Sequence, residues 1–160
     1  MMRKRKGYPV YPLTNAQKFH LYYLNFCQKK KVVNIGNSLT IETEIDWDVL
    51  KESIYKAYER CESMRLRFAK DKEGTYYQYV VEKEERDIEF VDFSGKTMEE
   101  AETIMKQWTE VPFKREDAPQ NRIVMIKTPD GFSGVYLLAD HLTMDAQSII
   151  CFLKDIIELY

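Results

Sequence analysis

The chain has 160 residues, 44% hydrophobic and 31% charged, with 24 basic side chains against 26 acidic ones. That length suits one domain with a sizeable core. The near-cancelling charges exclude a global field that would recruit nucleic acid or an anionic membrane, and the apolar runs are too short to cross a bilayer.

Residues 1–7 contain Arg3-Lys4-Arg5-Lys6, and Gly7-Tyr8-Pro9 interrupts any apolar segment behind them. They read as a basic flexible tail rather than a secretory signal. Thr14 and Gln17 have the spacing of a reciprocal cap, and Ala16, Phe19, Tyr23 and Phe26 recur at helical intervals, which predicts a first helix ending near Lys29-Lys30-Lys31. "NSLTIETEI" alternates Leu39, Ile41 and Thr43 with polar neighbours, as a strand covered on one face does. Asp46 and Asp48 then stand where negative charge favours a helix start, ahead of a stripe of Leu50, Ile54, Ala57 and Cys61.

"MRLRFAKDKEGTYYQYVV" predicts two strands joined by a turn at Lys70–Gly74, and "DIEFVDF" a third. Thr97 and Glu100 form a capping box before a helix whose apolar face is Ala101, Ile104, Met105 and Trp108. After the loop "EVPFKREDAPQN" come "RIVMIK", a Pro129-Asp130-Gly131 turn and "GVYLLA", two strands apolar on both faces and so central in a sheet covered by helices on one or both sides. A last helix carries Ile149, Phe152, Leu153, Ile156 and Tyr160 on one side. The order α-β-α-β-β-β-α-β-β-α implies an α/β fold, a two-layer sandwich with a mixed β-sheet.

Function is most legible in "LLADHLTMDAQS". His141, one of two histidines, falls at the end of a buried strand just before a helix, where a rigid element can hold a side chain beside open space. Residues alone leave two readings open, a satisfied structural histidine and a proton-transferring one. Asp140 should diverge from His141 because strand side chains alternate. Asp145 precedes the last helix, where it can cap amides or pair with an arginine such as Arg60, Arg65 or Arg122. His20 reads as a core-edge residue rather than a ligand. Cys27, Cys61 and Cys151 are far apart and lack metal-type spacing, so reduced, mostly buried thiols of a cytoplasmic protein are expected, with no metal site. The tyrosines of "TYYQYV" read as strand positions rather than a stacking surface for nucleic acid.

Taken together, four segments resemble the condensation domains of nonribosomal peptide synthetases, in the superfamily of chloramphenicol acetyltransferase. "TNAQKFHL" is similar to the opening S-x-A-Q-x-R-L type motif, "RCESMRLRF" to R-H-E-x-L-R-T-x-F, "PFKREDAPQNRI" to P-F-x-x-x-x-x-P-L-x-R, and "DHLTMDAQS" to H-H-x-x-x-D-G-x-S. The resemblance covers residues 8–160 and implies the N-terminal lobe of a two-lobed, chloramphenicol acetyltransferase-like fold. It places His141 at the motif's second histidine, beside an acceptor amine that attacks a thioester on a phosphopantetheine arm. Asp145, Arg60 and Arg65 match residues with architectural roles. No cofactor is implied as bound directly, because the substrates arrive on peptidyl and aminoacyl carrier proteins.

Three departures bear on activity: Asp140 replaces the first motif histidine, Cys61 the histidine of the second motif, and Ala146 the glycine after the aspartate. The chain ends at "IIELY" without a D-F-G-W-G-type motif. The expectation is therefore a lobe of a longer synthetase, inactive in isolation, whose uncovered face can dimerise. The alternative is a degenerate lobe that binds carrier proteins or another polypeptide without catalysis.

Overall fold

The computed structural model describes residues 4–26 and 33–160; Arg3, Cys27 and the Lys29-Lys30-Lys31 cluster lie outside the described residues. From the first helix onward, the element order matches the predicted one. The elements are α1 (Asn15–Phe26), β4 (Asn34–Ile41), α2 (Trp47–Arg60), β5 (Leu66–Lys70), β6 (Tyr76–Val80), β7 (Glu89–Asp92), α3 (Met98–Thr109), β8 (Asn121–Lys127), β9 (Ser133–Asp140) and α4 (Ala146–Leu159). Three two-residue strands, β1 (Lys4–Arg5), β2 (Tyr8–Pro9) and β3 (Tyr11–Pro12), precede them.

The principal sheet has the order β4-β9-β8-β7, antiparallel except for the parallel pair β7·β8. β9 is buried along its whole length, which is why its sequence is apolar on both faces. On one face Leu50, Ile54 and Ala57 of α2 and Ile149, Phe152 and Ile156 of α4 pack against Ile123, Met125, Val135 and Leu137. On the other, Ala101, Ile104, Met105 and Trp108 of α3 cover Val124, Ile126, Tyr136 and Leu138. The mixed α/β architecture is thus as expected, with helices on both faces of the principal sheet. Each fully buried aliphatic or aromatic side chain contributes about 1.5–3 kcal/mol, so this core dominates the stability.

Asp46 caps α2 by accepting from the amides of Asp48 and Val49, and Thr97 and Glu100 form the expected capping box on α3. The predicted hairpin forms between β5 and β6, but it joins β3 in a separate antiparallel sheet, β3-β6-β5. Tyr160 lies past the end of α4, largely exposed, and its hydroxyl accepts from the Asp46 amide.

Two expectations change at the N-terminal end. Lys4 and Arg5, assigned to a flexible tail, pair with Tyr8 and Pro9 in a small ladder, and Arg5 forms an ion pair with Asp117. The buried stripe of α1 is Gln17 and Leu24, with His20 and Leu21 half-buried, whereas Phe19, Tyr23 and Phe26 are exposed. Leu21 and Leu24 join Leu13, Val33, Phe68 and Leu142, so α1 is pinned between the second sheet and the segment that follows β9.

Candidate active site

β9 ends at Asp140, opposite Asn34, the first residue of β4. There the backbone turns sharply: the amides of Thr143 and Met144 and the Thr143 hydroxyl all point to the Asp140 carbonyl, at 2.9, 3.3 and 2.9 Å. Asp140 Oδ1 accepts from the Leu142 amide at 2.8 Å, a turn in which a short acidic side chain bonds the backbone two residues on. A carboxylate at the first motif position therefore builds the loop that carries the histidine.

Asp140 is fully buried, and a buried carboxylate needs a counter-charge. Arg115 supplies it, with Nη1 2.8 Å from Asp140 Oδ2. The same Nη1 donates an aligned hydrogen bond to Gln120 Oε1, while the Gln120 amide donates to the carbonyls of Lys114, Ala118 and Pro119. The loop between α3 and β8 is thereby locked onto the end of β9. Asp140, rather than Asp145, is the acid of this segment that pairs with an arginine, and that arginine is Arg115.

His141 is the first residue past the end of β9, so strand alternation does not set its direction, and its side chain and that of Asp140 take different partners. Its amide donates to the Val33 carbonyl at 2.8 Å, and its Nδ1 lies 3.1 Å from the Met144 carbonyl. A carbonyl only accepts, so in the neutral ring Nδ1 carries the proton and Nε2 keeps its lone pair. Among the described residues no hydrogen-bond partner occupies Nε2. A half-buried imidazole held this way can accept a proton from, or orient, a neighbouring amine.

His20, expected as a core-edge residue, is half-buried and lies beside His141, a pairing the sequence did not indicate. Its ring centroid lies 4.6 Å from that of His141, with 31° between the planes. Gln17, one turn earlier, donates to the Leu142 carbonyl at 3.1 Å and so ties α1 to the loop that carries His141. Burial, then the nearby His141, lower the His20 pKa, and Asp140 opposes the shift. The available signal was that the Thr14–Gln17 cap sets the orientation of α1, which puts position 20 on the same face as Gln17.

Of the other expected residues, Asp145 lies within electrostatic reach of His141. Asp145 caps α4, its Oδ1 accepting from the amide and hydroxyl of Ser148 at 2.8 and 2.7 Å. These bonds hold its carboxyl below the ordinary range. Arg122 pairs with Glu89, and Arg60 is exposed at the end of α2, so none of the arginines proposed for Asp145 reaches it among the described residues. Arg65 has an architectural role: it donates to the backbone carbonyls of Tyr58, Val81, Glu82 and Glu59, binding α2 to β6. Cys61 ends α2 half-buried, its sulfur 3.2 Å from Ser63 Oγ, and Cys151 is exposed rather than buried; both are free thiols. Ala146 is the first residue of α4 with its methyl exposed, so the helix accommodates the extra carbon. Among the described residues no three histidine, cysteine or acidic side chains converge as metal ligands, and no helix is long and apolar enough to span a membrane.

Comparison with known proteins gives these motifs their context. The family model described as "Condensation domain" matches residues 9–160. Surfactin synthase subunit 2 of Bacillus subtilis (strain 168) is 30% identical over 152 residues, and surfactin synthase subunit 1 of the same organism 27% over 158. Each match takes in 94% of this chain and 4% of the relative, so the chain spans a small part of those proteins. Among solved structures, the starter condensation domain of rhizomide synthetase superposes with a TM-score of 0.84 at 18% identity, covering 94% of this chain and 37% of that one. The first condensation domain of the CDA synthetase gives 0.81 at 21% identity, with 94% and 39% covered. These similarities establish the chloramphenicol acetyltransferase-like lobe as the fold.

Proposed function

The chain belongs to the condensation-domain family, and from that premise we propose that it forms the histidine-bearing lobe of an amide-forming acyltransferase. The acceptor is an aminoacyl thioester and the donor an acyl or peptidyl thioester, each carried on the phosphopantetheine arm of a carrier protein. The acceptor nitrogen attacks the donor carbonyl, the C–S bond breaks, and the amide forms as the donor arm leaves as a thiol. His141 Nε2 accepts the proton lost by the nitrogen or holds the amine in line. Proton transfer by a placed imidazole contributes about 10²–10⁴-fold, and orientation adds to it. Carrier proteins and the remainder of a two-lobed domain are the partners of this reading.

One observation carries it: the Met144 carbonyl engages Nδ1, which leaves Nε2 as the basic nitrogen. The substitutions at the motif support it as well. Asp140 is neutralised by Arg115 and shapes the loop, and Ala146 fits at the start of α4. A degenerate binding lobe differs in outcome. The test is a complete condensation domain carrying this lobe, supplied with loaded donor and acceptor carriers, with amide product and carrier binding both measured for the unmodified protein and for His141→Ala. Amide synthesis that the substitution suppresses while binding persists supports catalysis. Carrier binding without product from the unmodified protein supports the degenerate lobe.

A further inference from the structure

We propose that His20 is a positioning residue of this site: its ring lies against His141 and, together with the Met144 carbonyl, holds the imidazole with Nε2 presented to the acceptor amine. The proposal rests on the reading of His141 above and deepens it.

A single hydrogen bond at Nδ1 leaves a ring free to pivot about that bond. The 4.6 Å, 31° contact with His20 places a second ring against the His141 face and restricts the pivot. The support is anchored at its base. Thr14 and Gln17 cap α1 reciprocally, Gln17 donates to Leu142 within the loop, and Leu21 and Leu24 are packed in the core one turn further on. α1 and the His141 loop therefore move as one piece. Burial and the nearby His141 lower the His20 pKa and so favour its neutral ring; Asp140 is paired with Arg115, and the Asp145 carboxylate, which caps α4 through Ser148, lies within electrostatic reach of His141. When His141 takes up a proton, it meets a neutral aromatic face, which favours a cation, rather than a second imidazolium, which would repel it.

The chain holds two histidines, so imidazole ¹⁵N signals can be assigned with single variants. His20→Phe keeps an aromatic face and His20→Ala removes it. In this chain, the His141 Nδ1–H tautomer signature persists in the Phe variant and is averaged in the Ala variant. In a complete condensation domain carrying the lobe, kcat falls about tenfold for Ala with KM for the carriers unchanged, and the Phe variant restores most of it, as expected for lost orientation. Unchanged His141 spectra and kcat in His20→Ala overturn the proposal. So does a Phe variant as impaired as Ala, because that would give the His20 nitrogens a direct role. Undiminished product from His141→Ala in the same domain would overturn the reading of His141 itself, whereas the spectra report the ring contact independently of turnover.

Discussion

At the scale of single residues, the placement of charge explains why Asp140 takes an arginine and Asp145 a helix cap. Both acids flank His141, and either might have called for an arginine. Asp145 meets helix amides already oriented by α4, so capping satisfies it at an exposed site. Asp140 has no access to water and receives Arg115. Removing one partner of a buried pair costs about 3–5 kcal/mol because the other charge is left uncompensated. Arg115→Ala is expected to lower stability on that scale in denaturant unfolding, and Asp140→Asn in the same background to recover part of the loss; no change in midpoint for Arg115→Ala would mean the pair is solvated. Glu84 provides a pH-dependent case. Burial raises its pKa, but hydrogen bonds and charge from Arg86 and Arg67 outweigh burial and leave it lowered. A lowered carboxyl stabilises the fold fully above its unfolded value, near 4.3, and that contribution is lost as pH falls through the folded value. Glu84→Gln should therefore be less stable than the unmodified chain at pH 7, and the difference should shrink below about pH 4. A difference independent of pH would assign the effect to packing alone.

At the scale of elements, close packing of β4 on β9 depends on Gly134. A methyl group there would lie 1.9 Å from the Leu39 carbonyl oxygen, which belongs to the backbone and cannot move aside without displacing the strand. Gly134→Ala is expected to destabilise the chain by about 1–3 kcal/mol, the usual scale of overpacking, with loss of amide protection along β4 in hydrogen exchange. Intact protection would show that the strands separate at little cost. The elements themselves were largely legible in the sequence. The caps at Thr14, Asp46 and Thr97 and the turn between β5 and β6 are local signals, and local geometry honours them. The buried face of α1 was not legible, because apolar residues surround that helix: Phe19, Tyr22, Tyr23 and Phe26 compete with Leu21 and Leu24 for the inside. Gln17 decides the outcome through partners on Gln78 and Leu142, which are 61 and 125 residues away. Periodicity cannot anticipate contacts at such separations. The same rotation brings His20 to His141, which is why half of the histidine pair escaped the sequence.

At the scale of the whole molecule, three distant stretches converge on one loop: the cap and buried face of α1, the Arg115–Gln120 clamp, and the turn from β9 into α4. Two surface depressions, about 660 and 630 Å³, lie beside Tyr8 and Glu82 near the N-terminal ladder, and neither histidine lines them. Among the described residues, the aromatic side of α1 and Ile150 and Ile157 of α4 are exposed. The most direct test is single-turnover amide formation, with loaded carriers, in a complete condensation domain carrying this lobe as the unmodified protein and as His141→Ala. Catalysis through His141 predicts a fall of about 10²-fold or more with carrier binding retained; amide formation within twofold of the unmodified rate would contradict it.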